Sequence, residues 1–196
     1  MNIQKLLSGG LFLLTALVSQ AQPDSAKISH KALWYADSLV KADAYQDWGA
    51  YANLAPFSVM KYYGGKDGYS GHVQQVRVYT TSYQDEAPPE LQLQTLVTVK
   101  DQWQCVIRLS RYFHRDDKKF HLVSYLIGQS KDEGDTWRIF DVNYNTVANM
   151  MQIFPDILDM PLKETSILSE EQELAKQQAE TAAAASAGKK TAARKK

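Results

Sequence analysis

Residues 120–143, Phe120-His121-Leu122-Val123-Ser124-Tyr125-Leu126-Ile127-Gly128-Gln129-Ser130-Lys131-Asp132-Glu133-Gly134-Asp135-Thr136-Trp137-Arg138-Ile139-Phe140-Asp141-Val142-Asn143, decide the fold. They read as two β-strands joined by a turn whose chemistry is specified residue by residue. In the first strand Phe120, Leu122, Ser124 and Leu126 alternate with His121, Val123, Tyr125 and Ile127, so apolar side chains occupy both faces and both are expected to be buried. The second strand sets Trp137, Ile139 and Asp141 against Arg138, Phe140 and Val142. Between them Asp132 can accept hydrogen bonds from turn amides, Gly134 can take a positive φ, and Trp137 can close the hairpin.

Two further strands precede this pair. Leu91 to Lys100 alternates Leu91, Leu93, Thr95, Val97 and Val99 against Gln92, Gln94 and Thr98, and Trp103 to Phe113 directs Trp103, Cys105, Ile107 and Leu109 inward. Asp101-Gln102 reads as a short turn and His114 to Lys119 as a polar loop. Four consecutive strands with short connections pair as an antiparallel meander.

The stretch before the strands is helical in pattern. From Asp24 to Trp48 the apolar residues Ile28, Leu33, Trp34, Ala36, Leu39, Val40, Ala44, Tyr45 and Trp48 form a stripe, with Asp24 or Ser25 as N-cap and an end near Gly49. Asn53 to Tyr63 reads as a second helix with Pro56 in its first turn, stopped by Gly64-Gly65. Tyr69, Val73, Val76, Tyr79 or Thr80, and Tyr83 fit a third helix better than a strand, with Asp67 able to cap it; Asp85 to Pro89 then breaks the chain. After the sheet, Asn145 or Thr146 is positioned to cap a helix through Met150, Met151 and Phe154 that Pro155 ends, with Ile157, Leu158 and Met160 packing back before Pro161.

Both chain ends differ from this middle. Lys5, the apolar run Leu6 to Val18 and Ser19-Gln20-Ala21 have the three-part layout of a signal peptide, cleaved after Ala21. A run of about 13 residues is short of the roughly 20 that span a bilayer. With no cysteine at the cleavage site, a periplasmic or secreted protein is expected. At the other end Ser169-Glu170-Glu171-Gln172 is a capping box opening a helix, yet Leu174 is almost its only large apolar residue. The organisation read from the sequence is therefore a signal peptide over 1–21, one domain over 22–162, and an Ala/Lys/Glu-rich flexible tail over 163–196, partly helical at best.

Charge and cysteine content narrow the function classes. Residues 22–162 carry 14 Lys and Arg against 17 Asp and Glu, which gives no clustered positive surface for nucleic acid. Cys105 is the single cysteine, set in an apolar strand, so neither a disulfide nor a thiol nucleophile is expected. One cysteine and four scattered histidines give no metal-ligand spacing, and nothing implies a cofactor.

Helices ending in Tyr62-Tyr63-Gly64-Gly65-Lys66-Asp67 and followed by long antiparallel strands resemble the nuclear transport factor 2-like, or SnoaL-like, superfamily over roughly residues 25–160. Ser124 to Gly134, Thr136 to Val142 and Ile153-Phe154-Pro155-Asp156-Ile157 are similar to a group of small exported bacterial proteins of that type with no settled function. The resemblance implies a cystatin-like α+β cone: N-terminal helices packed on a curved antiparallel sheet of four strands or slightly more. That fold hosts isomerases, cyclases, dehydratases and binding domains alike. Ser130-x-Asp132-x-Gly134-x-Thr136-Trp137 also resembles the Asp-box of sialidase-type propellers, where it braces a hairpin turn; a single box and few strands exclude a propeller here.

A cone of this kind encloses a pocket between helices and sheet. Its candidate lining is Trp34, Tyr45, Trp48 and Tyr62, with Tyr69, from the helices, and Arg108, Ser124 and Tyr125 from the strands. The resemblance to cyclases and isomerases implies a possible enzyme in which His121 with Asp141 supplies the general base and Tyr or Arg steadies the developing oxyanion. Against this, each residue has a structural reading: His121 facing solvent, Asp141 bonding the next turn, Arg108 paired with a cross-strand carboxylate, the aromatics as core. The expectation is an exported domain that binds a small ligand or a cell-envelope partner, with a homodimer through the outer sheet face suggested by the fold.

Overall fold

The computed structural model describes residues 24–78, 84–85, 87–142 and 166–193. The expected signal peptide, residues 79–83, and the helix and return segment expected between Asn145 and Pro161 lie outside them. Four helices, α1 (Ser25–Ala44), α2 (Trp48–Leu54), α3 (Phe57–Tyr62) and α4 (Lys66–Val78), precede the strands β1 (Gln84–Asp85), β2 (Glu90–Val99), β3 (Gln102–Arg115), β4 (Lys118–Ser130) and β5 (Arg138–Asp141). A last strand, β6 (Ser166–Ser169), leads into a long helix, α5 (Glu170–Ala193). This is an α+β domain, with helices packed on an antiparallel sheet that does not close.

The helices begin and end where side-chain chemistry dictates. Asp24 caps α1 by accepting from the amides of Ala26 and Lys27. The expected continuation of that helix to Trp48 does not occur. Gln46 turns the backbone into the left-handed region at φ 56°, the Asp47 amide closes back on the Ala42 carbonyl at 2.9 Å, and the Asp47 carboxylate caps a new helix at the Ala50 amide, also at 2.9 Å. Trp48 and Gly49 therefore open α2. Pro56 then splits the expected second helix in two: the chain at Ala55 is extended, as a residue before proline prefers, and α3 starts after the proline. Gly64 and Gly65, at φ 81° and 106°, end α3, with the Gly65 amide on the Met60 carbonyl at 2.7 Å. The expected third helix forms over Lys66–Val78 as α4, with Asp67 in its first turn rather than before it.

The meander forms as expected: β2 pairs with β3, β3 with β4 and β4 with β5, all antiparallel. The expected loop at His114 to Lys119 is instead a continuation of both strands to a two-residue turn. Asp116 and Asp117 both take positive φ, as do Lys100 and Asp101 in the preceding hairpin, which is the backbone twist that two-residue hairpins require. The extra residue Gln94 makes a bulge between Leu93 and Thr95. β1 and β2 lie one after the other along one edge of β3, and β5 and β6 share the far edge of β4.

The stretch read as a flexible tail supplies β6 and α5. Ser166 to Ser169 pairs with Phe120 to Val123. The Ser169–Gln172 capping box forms, with the Ser169 amide on Gln172 Oε1 at 2.9 Å and the Gln172 amide on Ser169 Oγ at 3.3 Å. Leu174, left 54% exposed, remains unburied as its isolation predicts, so polar contacts hold this helix to the sheet.

In the turn between β4 and β5, Gly134 takes the expected positive φ and Asp132 bonds a turn amide as expected, with two hydroxyls added. Asp132 accepts from Ser130 Oγ at 2.8 Å, from the Thr136 amide at 2.9 Å and from Thr136 Oγ1 at 2.6 Å. Burial works to raise its carboxyl pKa, but the Thr136 and Ser130 hydrogen bonds outweigh burial and hold it below the ordinary value. Its contribution to stability is thus present above the usual aspartate pKa of about 3.9 and is lost as the pH falls through the depressed folded value. Asp132→Ala is expected to cost on the order of 1 kcal/mol at neutral pH, screened by the site's exposure, and to flatten the acid limb of the stability curve. Equilibrium urea unfolding from pH 2 to pH 7 measures both; an unchanged acid limb refutes the role.

Candidate functional site

Paired residues on neighbouring strands share a face, so the register sorts the candidate residues. Asp141 pairs with Leu126 and Leu126 with Ile107, while Ser124 pairs with Leu109, which places Ser124 and Asp141 on the helix-facing side. Arg108 pairs with Tyr125, and Tyr125 shares the opposite side with Val123 and His121. His121 and Asp141, expected to act as one general-base pair, are thus on opposite faces of the sheet. The Asp141 partner, Leu126, lies an odd number of positions beyond His121 along β4, and the two-residue pleat therefore puts them on opposite faces.

On the helix side the polar groups hold the layers together. Asp43 of α1, 5% exposed, reaches Arg77 of α4 at 3.3 Å and Arg111 of β3 at 3.9 Å. Tyr69 of α4 is fully buried beside Asp141, and burial first, then that carboxylate, pushes its phenol pKa far above the ordinary value. Ser124 Oγ is fully buried and has no hydrogen-bond partner among the described residues. Cys105 is buried too, and burial pushes its thiol up to about 12, so it is no nucleophile.

The aromatic wall expected from the helices does not form. Trp34 is 58% exposed, Tyr45 82% and Tyr62 50%; Trp48 is half-buried, edge-on to Tyr51. The buried stripe of α1 is Ile28, Ala32, Ala36, Leu39 and Asp43, which lets the helix approach the sheet closely on small side chains and turns Trp34 outward.

The outer face carries a different constellation. His121, 7% exposed, bonds on both sides: Nε2 is 2.7 Å from Ser110 Oγ on β3, and Nδ1 is 2.7 Å from Glu173 Oε1 on α5. Its ring stacks on Tyr112 at 4.3 Å and 13°, and the Lys119 ammonium lies over the other aromatic partner, 5.1 Å from the Tyr112 centroid. His121 therefore does not face solvent. It pins α5 across the sheet, and the space on either side of the pin stays open. One cleft of about 420 Å³ lies over Arg108, Val123 and Tyr125, closed by Leu168 and by Lys176 and Gln177 of α5. A smaller one of about 260 Å³ lies between Tyr112, Phe120 and Leu174. Among the described residues Arg108 pairs with no carboxylate; its cross-strand neighbours are Gln92 and Tyr125.

Of the expected site residues, the structure brings together Arg108, His121 and Tyr125. It leaves Ser124 and Asp141 behind the sheet and Trp34, Tyr45 and Tyr62 outside it. Ser110 and Glu173 were missed, the first as a small polar break in an apolar strand and the second as part of a solvated helix. The capping box that fixes the start of α5 was the signal that could have brought Glu173 in. Among the described residues no three His, Cys, Asp or Glu side chains are grouped to hold a metal ion, and no helix is long and apolar enough to cross a membrane.

No family model matches this chain, and neither a curated protein nor a solved structure does. What the fold and site define is an α+β domain with helices on one side of an open antiparallel sheet. A helix-roofed cleft lies on the other side.

Proposed function

We propose that this protein is an exported ligand-binding domain of the nuclear transport factor 2-like type, and that its small molecule lies in the cleft between the outer sheet face and α5. One observation carries the reading: about 420 Å³ of space, within the range of small-molecule sites, in which Arg108, Tyr125 and His121 converge among Val123 and Leu168. Helices leading into an antiparallel meander support the family assignment, and the Lys5 to Ala21 pattern supports export.

A second reading, acid-base catalysis, is favoured by the Ser110–His121–Glu173 series, in which a carboxylate orients an imidazole whose other nitrogen meets a hydroxyl. Glu173 replaces Asp141 in this version. Binding stands ahead of it because Ser110 is only 5% exposed and borders neither cleft, so a substrate carbonyl has no path to its oxygen.

Val123→Trp, which fills the cleft from its floor, tests the proposal. In a fragment screen read by amide chemical shifts, hits on the wild-type chain are expected to cluster at Val123, Tyr125, Leu168 and Gln177 and to lose at least about tenfold in affinity in the variant, the equivalent of roughly 1.4 kcal/mol. Hits that map to the helix side, or that Val123→Trp leaves intact, refute it.

A further inference from the structure

We infer that the ligand of this cleft is an organic anion with an apolar body, and that Arg108 is the group that recognises its charge. The inference rests on the reading of the cleft as a ligand site and adds the chemistry of what enters it. Arg108 stands on β3, an inner strand paired on both sides, and is half-buried there. Among the described residues it makes no hydrogen bond or ion pair, in contrast to Arg77 and Arg111 on the helix side, both of which meet Asp43. A guanidinium withdrawn from water without a counter-charge is costly, and the five donors of its planar fork fit a carboxylate, sulfonate or phosphate two bonds at a time.

The surrounding groups fit the same ligand. Glu173, a carboxylate of α5 that also lines the cleft, has its Oε1 held by His121 Nδ1 and forms no ion pair with Arg108. Lys176 and Glu180, one turn apart on the same face of α5, both line the cleft and offset each other in charge, so the anion anchor is Arg108 on the floor. Val123, Tyr125 and Leu168 supply the apolar and aromatic surface beside the guanidinium. The cleft therefore offers an anion anchor at its floor and hydrocarbon contact along its walls. A neutral ligand leaves Arg108 unpaired, and a small inorganic anion leaves the walls unfilled.

A matched pair of fluorescent probes separates the charge from the cleft. 1-Anilinonaphthalene-8-sulfonate and N-phenyl-1-naphthylamine share one ring skeleton, and only the first carries an anion. Titrated into the full chain, the sulfonate is expected to bind about tenfold tighter or more than the neutral probe. Arg108→Gln should abolish that difference without weakening the neutral probe, and retained binding of the neutral probe also reports that the variant is folded. Arg108→Lys, keeping the charge and losing the fork, should retain part of it. Equal binding of the two probes, or a preference for the sulfonate that Arg108→Gln does not touch, overturns the anion inference and leaves the cleft as a ligand site. Failure of both probes to bind at a site that Val123→Trp closes overturns both readings.

Discussion

Replacing Trp137 by alanine is expected to lower the free energy of unfolding by roughly 3–5 kcal/mol, the cost typical of removing a fully buried indole. Trp137 is 1% exposed, and its Nε1 donates to the Gly134 carbonyl at 3.1 Å. Its ring fills the space over Gly128 near the C-terminal end of β4, where an added Cβ would come within 3.0 Å of the indole and 2.6 Å of Cys105 Sγ. The absence of a side chain at Gly128 and the bulk of Trp137 are thus one packing solution. Gly134, at φ 91°, meets Ile28 of α1 on the other side of the same turn, so loss of the indole also loosens the seat of α1. Trp137→Phe retains much of the burial and gives up the hydrogen bond, and should cost less than the alanine variant. Equilibrium urea unfolding decides: a loss under about 1 kcal/mol for Trp137→Ala means that the turn is not docked as described.

Asp43→Ala should cost a comparable amount, roughly 3–5 kcal/mol, for a different reason. The carboxylate is buried where α1, α4 and β3 meet, with the Arg77 and Arg111 side chains 16% and 12% exposed beside it. Removing it leaves two mostly buried guanidinium groups without that counter-charge. Conserved volume does not rescue the site, so Asp43→Asn should fall much nearer to Asp43→Ala than to the wild type. Thermal and urea unfolding of the two variants test this. A wild-type melting temperature for Asp43→Asn shows that the charge contributes little and that packing alone holds the three elements.

Local chemistry was legible in the sequence wherever neighbouring residues set the backbone. Asp132, Gly134 and Trp137 specified the turn, Gly64 and Gly65 the end of α3, and period-two alternation the four central strands. Helix boundaries around Trp48 were not, because an apolar stripe continues across a break that only the Gln46 conformation and the Asp47 cap create. Trp34 and Tyr45 belong to the apolar stripe of the sequence and were expected to line a pocket, whereas close approach of helix to sheet selected Ala32 and Ala36. The candidate site was half legible. Arg108, His121 and Tyr125 interrupt apolar strands and were noticed for that, yet which face each occupies depends on phase along the strand. Their partner Glu173 is 52 residues beyond His121, in a segment whose composition alone gives no reason to fold.

The shared far edge of β4 bears on whether two copies of the chain can join strand to strand there. Phe120 to Val123 presents backbone donors and acceptors next to apolar side chains, the kind of edge that templates strand addition from another chain. β6 occupies it over four residues, and β5 occupies Leu126 to Gln129 beyond it. The short strand β6 therefore acts as a built-in chaperone for its own sheet: as long as it is paired, the backbone row of Phe120 to Val123 is closed to a strand from another copy.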